Sequence, residues 1–167
     1  MKINVVSLRK AKELILSDEI YRKNWISIRE HDFPEMYETF EKFCTNVCAI
    51  EFDDVTYYSE KNNLSHSFFD SIRKHRQLIH FNKDHAKQII EFATSVFEKN
   101  DTLNIHCFAG RSRSQAVGYV LNQYFNLYLM HNPDDYRLNI INNNEKFMAN
   151  PDVIKVMNNV LYGKELK

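Results

Sequence analysis

The chain has 167 residues, 44% of them hydrophobic and 26% charged, and 22 basic side chains balance 22 acidic ones. This composition fits one globular domain spanning residues 1–167, and a net charge of zero favours neither nucleic acid nor an anionic membrane as a partner. No run of about 18 apolar residues is present, so we expect no membrane span. Three cysteines without a signal peptide favour free thiols in a reducing cytoplasm.

Strands and helices alternate along the predicted chain. Short apolar runs predict strands at 3–6, 24–28, 46–52 and 102–106. Amphipathic spacing and capping residues predict helices at 8–16, 34–44, 66–76, 83–99, 113–131, 134–144 and 151–161. Residues 55–81 are polar and aromatic, which indicates an insertion outside the core. The alternation predicts an α/β domain with a central, mostly parallel sheet covered by helices on both faces.

Polar segments follow two of the predicted strands. Asp53 and Asp54 come after the strand at 46–52, and a loop beginning at Cys107 comes after the strand at 102–106. Ligands of such sheets bind beyond the carboxyl ends of the strands. The two segments are therefore the first places to look for a site.

The loop after the fourth strand has the composition of an anion cradle. It lies within residues 105–114, IHCFAGRSRS, directly before a long helix. Backbone N–H groups at a helix N-terminus lack partners within the helix, and the helix dipole is positive there. Gly110 lets the backbone curl around an oxyanion. The residues of the predicted cradle are Phe108, Ala109, Gly110, Arg111, Ser112 and Arg113.

Three side chains around this cradle suit attack on a phosphate ester. Cys107 lies at its base, where the same dipoles favour a thiolate nucleophile. The planar guanidinium of Arg113 matches two phosphate oxygens, and the hydroxyl of Ser114 can donate to the sulfur as it becomes a leaving group. A buried structural thiol is the simpler interpretation of Cys107, but it does not explain Gly110, Arg113 and Ser114 at these spacings.

These residues form a C-x5-R-S signature, and the chain resembles the protein tyrosine phosphatase superfamily, most closely its small dual-specificity members. His106-Cys107, Gly110 and Arg113-Ser114 stand in the family's places. The resemblance covers most of residues 24–131, through WISI, CAIEFDD, LNIHC and the helix after the arginine. It implies hydrolysis through a phosphocysteine intermediate, with a phosphorylated protein as the substrate and no cofactor or metal.

The family also uses an aspartic acid upstream of the cysteine as general acid, and Asp54 is our assignment. It follows its strand as the family's acid does, but lies further from Cys107 than is usual. The insertion at 55–81 accounts for the extra length. Asp53, Asp70 and Asp84 remain alternatives.

Two further residues have open roles. His106 either hydrogen-bonds backbone near the loop and supports the thiolate, or is a core histidine. The side chain of Arg111 is expected to point outward, where it either favours multiply charged substrates or is merely exposed.

Other functions remain open from the sequence. The same chemistry on a phosphoinositide or on the 5′-phosphate end of RNA is one alternative. RNA-acting members of the family usually follow the arginine with Thr-Gly, whereas this chain has Ser114-Gln115. A catalytically inactive phosphate-binding module and a rhodanese-like sulfurtransferase are the others. The sequence indicates no oligomeric state.

Overall fold

The computed structural model of the chain describes residues 1–30, 33–55, 78–99, 101–129, 138–140 and 148–163. The strands are β1 (Ile3–Ser7), β2 (Lys23–Arg29), β3 (Thr45–Glu51), β4 (Leu103–Cys107) and β5 (Leu138–Ile140). The helices are α1 (Leu8–Ser17), α2 (Glu38–Phe43), α3 (Lys83–Glu98), α4 (Arg113–Asn122) and α5 (Pro151–Tyr162). A 3₁₀ turn at Pro34–Tyr37 precedes α2, and a π-helix at Gln123–Leu129 continues α4.

The five strands form one parallel sheet in the order β3-β2-β4-β1-β5. Strand β4 is therefore central, with β2 on one side and β1 on the other. Its last residue, Cys107, pairs in register with Ser7 of β1, and His106 pairs with Ser27 of β2. The carboxyl end of the central strand thus lies among the ends of its neighbours, the position at which parallel sheets bind ligands.

Two hydrophobic cores cover the two faces of the sheet. On one face α1 and α2 pack over Val6 and Trp25, and Phe40 of α2 belongs to the same core. On the other, α3, α4 and α5 pack over a larger core that includes Ile26 and Ile105. Alternate residues of a strand point to opposite faces, which is why neighbouring residues such as Trp25 and Ile26 belong to different cores.

Asparagine and serine caps begin three of the helices. Ser7 accepts from the backbone of Lys10 at the start of α1, and Asn82 accepts from two backbone N–H groups of α3. Asn150 caps α5 in the same way, with Pro151 at the first helical position. Each side chain satisfies donors that the helix itself cannot.

The predicted α/β class with a parallel sheet flanked by helices is confirmed. The predicted strands at 3–6, 24–28, 46–52 and 102–106 all exist, as does the Asn82 cap of α3. The predicted helix at 134–144 is wrong, because residues 138–140 form strand β5 beside β1. Backbone pairing with β1 at the edge of the sheet decided the structure of this short segment over the predicted helix.

Several sequence-based predictions lie outside the described residues. These are the helix at 66–76, most of the insertion at 55–81, and Asp70. Within the described ranges, no helix is both long and apolar enough to cross a membrane.

Candidate active site

Cys107 lies at the base of a turn that connects the central strand to α4. Its side chain is buried, with 1% exposed, and its sulfur accepts from the backbone N–H of Gly110 at 3.2 Å. The hydroxyl of Ser114 lies 3.1 Å from the same sulfur. Gly110 has a φ of 73°, a conformation that costs glycine little and other residues more. Two hydrogen-bonding groups, the Gly110 N–H and the Ser114 hydroxyl, thus lie against the sulfur.

The loop between Cys107 and α4 is hydrogen-bonded both to the start of α1 and to a side chain of α4. The carbonyl of Phe108 accepts from the backbone N–H of Leu8 at 3.1 Å, which ties the loop to the start of α1. The carbonyl of Gly110 accepts from the side chain of Gln115 at 3.3 Å. The Phe108, Ala109 and Arg111 side chains are exposed around the loop.

Arg113 is held by two acceptors from the neighbouring strand ends. Its Nη2 donates to Glu30 Oε1, and its Nη1 donates to the carbonyl of Phe52 at 2.8 Å. Burial would lower the pKa of the guanidinium, but Cys107 and the carboxylates of Glu30 and Asp54 outweigh it and raise that pKa. Arg113 is therefore a permanent cation beside the cysteine, in a fixed orientation.

The Nε atom of the Arg113 guanidinium differs from the two Nη atoms in its contacts. Nε of Arg113 is buried and has no hydrogen-bond partner among the described residues. It lies 3.9 Å from Asp54 Oδ2, beyond hydrogen-bonding distance. Buried donors are nearly always paired, so this one indicates a position for a hydrogen-bond acceptor.

Asp54 lies beside the same arginine, and its two carboxylate oxygens make different contacts. Oδ1 accepts from the hydroxyl of Ser112 at 2.7 Å and from the amide of Asn150 at 3.1 Å. Oδ2 is the oxygen that faces Arg113, and a third of the side chain is exposed. The structure therefore brings Asp54 to the loop, with Oδ1 hydrogen-bonded and Oδ2 directed toward the guanidinium.

The other candidate acids are placed differently. Asp53 is buried, and its Oδ2 accepts from the backbone of Ile79 at 2.8 Å, so its carboxylate joins the end of the segment after β3 to the residues that precede α3. Asp84 is exposed in the first turn of α3.

His106 belongs to an aromatic cluster behind the loop. It is fully buried, its ring stacks on Phe40 with centroids 4.4 Å apart, and its Nε2 lies 2.8 Å from the hydroxyl of Ser27. Burial lowers the pKa of His106 to about 3. The ring is therefore neutral near pH 7, and His106 packs as a core histidine directly before Cys107.

Sequence analysis missed three residues of the site, namely Glu30, Gln115 and Asn150. Glu30 binds Arg113, Gln115 binds the loop, and Asn150 binds Asp54 as well as capping α5. Glu30 directly follows β2, so the reasoning that singled out residues after strands could have found it. Nothing local distinguishes Gln115, and the sequence marks Asn150 only as a helix cap, because the contacts with Met148 and Asp54 join distant parts of the chain.

Metal ligands are not assembled in the part of the chain that the structure describes: no group of three or more His, Cys, Asp or Glu side chains could hold an ion there. The positive charge near Cys107 comes from Arg113 and from the backbone dipoles of the loop.

The whole architecture is similar to that of a solved phosphatase, Tk-PTP in its active form. The two structures align with a TM-score of 0.53 at 14% sequence identity, over 96% of this chain and 91% of that one. The chain has the fold of a protein tyrosine phosphatase. No protein-family model matches the sequence, and a comparison with curated proteins finds no relative. At this identity the likeness to the tyrosine phosphatase fold concerns architecture, and function has to be argued from the site.

Proposed function

We propose that the chain is a cysteine-dependent phosphatase that hydrolyses phosphate monoesters on phosphotyrosine, phosphoserine or phosphothreonine of proteins. The observation that carries the proposal is the pairing of a buried cysteine with a buried arginine across one loop. Cys107 Sγ accepts from the backbone N–H of Gly110, and Nε of Arg113 has no hydrogen-bond partner among the residues that the structure describes. A phosphoryl group between them would meet a nucleophile below and a cation at its side.

The proposed reaction has two steps. The sulfur of Cys107 attacks phosphorus, forming an S–P bond as the P–O bond to the leaving group breaks, and Asp54 gives that oxygen a proton. Water then attacks phosphorus while Asp54 accepts its proton, and the S–P bond breaks with Ser114 donating to the departing sulfur. Arg113 and the loop amides bind the phosphoryl oxygens throughout.

Hydrolysis of 4-nitrophenyl phosphate, in a reducing buffer with chelator, tests the nucleophile. We expect turnover by the unmodified chain and its loss in Cys107→Ser. Cys48→Ser is the matched control, because Cys48 is a half-buried thiol of β3 whose pKa burial raises to about 11. Retained activity in Cys107→Ser, or an inert unmodified chain, would contradict the proposal. Phosphate binding by an inert chain would instead favour a phosphate-binding module.

The acid is tested by changing the leaving group. Phenolate leaves far less readily than 4-nitrophenolate, so it depends more on a proton donor. We expect Asp54→Asn to slow phenyl phosphate by about 100-fold or more and 4-nitrophenyl phosphate much less. Asp84→Asn, an exposed carboxylate in α3, is the control and should change neither rate. Equal losses on both substrates would remove Asp54 from the acid role.

The substrate class requires a direct comparison. Release of phosphate from phosphopeptides, a phosphoinositide and 5′-triphosphorylated RNA is measured under the same conditions. We expect the phosphopeptides to be preferred. If the lipid or the RNA is preferred, the proposed reaction stays the same and only the substrate changes. The exposed side chain of Arg111 at the loop would then be assigned to binding multiply charged substrates.

A further inference from the structure

Gln115 joins the phosphate loop to a segment that is distant in sequence. It lies in the first turn of α4 and is fully buried. Its Nε2 donates to the carbonyl of Gly110 at 3.3 Å, and its Oε1 accepts from the backbone N–H of Met148 at 3.0 Å. Both ends of the amide are used, so its orientation is fixed.

The bond to Gly110 determines which way one peptide group of the loop faces. In a trans peptide the carbonyl and the following N–H point in opposite directions, and the described chain contains no cis peptide. While Gln115 holds the carbonyl of Gly110 on the α4 side, the N–H of Arg111 faces away from Gln115. A carbonyl turned the other way would present a partial negative charge to an anion.

Glycine makes this peptide easy to turn. Rotation of the Gly110–Arg111 peptide changes ψ of Gly110 and φ of Arg111, and the glycine, without a Cβ, accepts far more backbone conformations than other residues do. Gly110 already has a positive φ of 73°. The loop therefore depends on an outside contact to keep the carbonyl in place.

The segment that anchors Gln115 also contacts the loop elsewhere. Nη2 of Arg111 lies 3.7 Å from Sδ of Met148, and the backbone N–H of Asn150 donates to the carbonyl of Ser112 at 3.3 Å. Residues 148–150 thus form a strap along the loop, and Gln115 is the buried side chain between strap and loop.

We propose that Gln115 is a positioning residue that holds the Gly110–Arg111 peptide with its N–H directed at the bound oxyanion. This inference rests on the proposed function, since it concerns the same loop. Its removal frees the carbonyl to turn inward and replaces an attractive contact with a repulsive one. A charge-assisted hydrogen bond of this kind corresponds to about 10-fold or more in affinity for phosphate.

Calorimetric titration with inorganic phosphate tests the role of Gln115. Gln115→Met keeps the approximate volume of the side chain and removes both hydrogen bonds, and we expect phosphate to bind about 10-fold or more weakly. Asn122→Leu is the control: it removes another fully buried amide of α4, one that accepts from Asn126 at 2.7 Å away from the loop. It should bind phosphate as the unmodified chain does. Equal affinity in Gln115→Met, or an equal loss in both variants, would overturn the proposal.

A second measurement uses the unmodified chain, so it does not depend on the variant folding. In ¹H–¹⁵N spectra we expect the amide proton of Arg111 to move downfield when phosphate binds, as a new hydrogen bond to an anion requires. An unmoved Arg111 resonance in a chain that binds phosphate would overturn the role of Gln115 alone. A chain that binds no phosphate and hydrolyses no aryl phosphate would overturn the proposed function as well.

Discussion

Glu30 and Arg113 form an ion pair that is almost completely shut off from solvent, with 4% of each side chain exposed. The residues are 83 positions apart, and the contact joins the end of β2 to the start of α4. A buried ion pair adds little stability over an apolar pair, but removing one partner leaves the other charge uncompensated. The pair therefore fixes the orientation of Arg113, but the fold is destabilised if either charge loses its partner.

Substitutions at this pair should be strongly non-additive. We expect Glu30→Leu alone to lower the free energy of unfolding by about 3–5 kcal/mol, because it leaves Arg113 buried without its carboxylate. Glu30→Leu combined with Arg113→Met should recover most of that loss, although it cannot recover activity. Urea denaturation of the two single variants and the double variant measures the coupling. Losses that simply add would show that the two charges do not depend on each other.

The contrast between Glu30 and Cys107 shows how far sequence could predict this site. Cys107, Gly110, Arg113 and Ser114 lie within eight residues, so their spacing and the strand–loop–helix context identify the loop. Glu30 reaches the loop only because β2 lies beside β4, an adjacency set by the folded sheet.

The same limit applies to parts of the fold. The four predicted strands have enough apolar residues to be recognised locally, whereas β5 has three residues and depends on its pairing with β1. Asn150 looks like a helix cap in the sequence, and its second role at Asp54 follows from a contact 96 residues away. Long-range contacts of single polar side chains leave no periodic signal.

His106 should make the folded protein sensitive to mild acid. Burial lowers the pKa of His106 to about 3 from an ordinary value of 6.5, so the folded state resists a proton that the unfolded chain accepts. The contribution of His106 to the free energy of unfolding is fully present above about pH 6.5. It falls as the pH drops toward 3, by up to about 1.4 kcal/mol per pH unit. Urea denaturation from pH 7 to pH 5, before most carboxylates titrate, measures the slope. His106→Asn, which cannot titrate, should flatten it, and an unchanged slope would assign the acid sensitivity to other groups.

The three cysteines should differ sharply toward iodoacetate. Burial raises the pKa of both Cys44 and Cys48 to about 11, so almost none of either is thiolate near pH 6.5. We expect mass spectrometry to find a single modification, on Cys107, and excess inorganic phosphate to slow it by occupying the loop. The Cys107→Ser chain should remain unmodified over the same time. Labelling of Cys44 or Cys48 at a comparable rate would contradict this selectivity.

Asn150 combines a structural task with contact to the proposed acid, and the two can be separated. Its Oδ1 caps α5, and its Nδ2 donates to Asp54 Oδ1 at 3.1 Å and to the carbonyl of Val55 at 3.2 Å. Asn82 caps α3 with the same pair of backbone bonds and is exposed. Asn82 therefore serves as a control that caps a helix without contacting Asp54.

We therefore expect Asn82→Ala to lower stability by about 1 kcal/mol from the lost cap, and Asn150→Ala to lower it by more, because its buried side chain also gives up the bonds to Asp54 and Val55. Only Asn150→Ala should reduce turnover of phenyl phosphate more than that of 4-nitrophenyl phosphate, because Asp54 loses one of the two donors that orient it. In the Asp54→Asn background, Asn150→Ala should have no further selective effect, since the acid is already gone. A selective loss that persists in that background would show that Asn150 acts on the reaction by another route, and equal effects of the two alanine variants would reduce Asn150 to a helix cap.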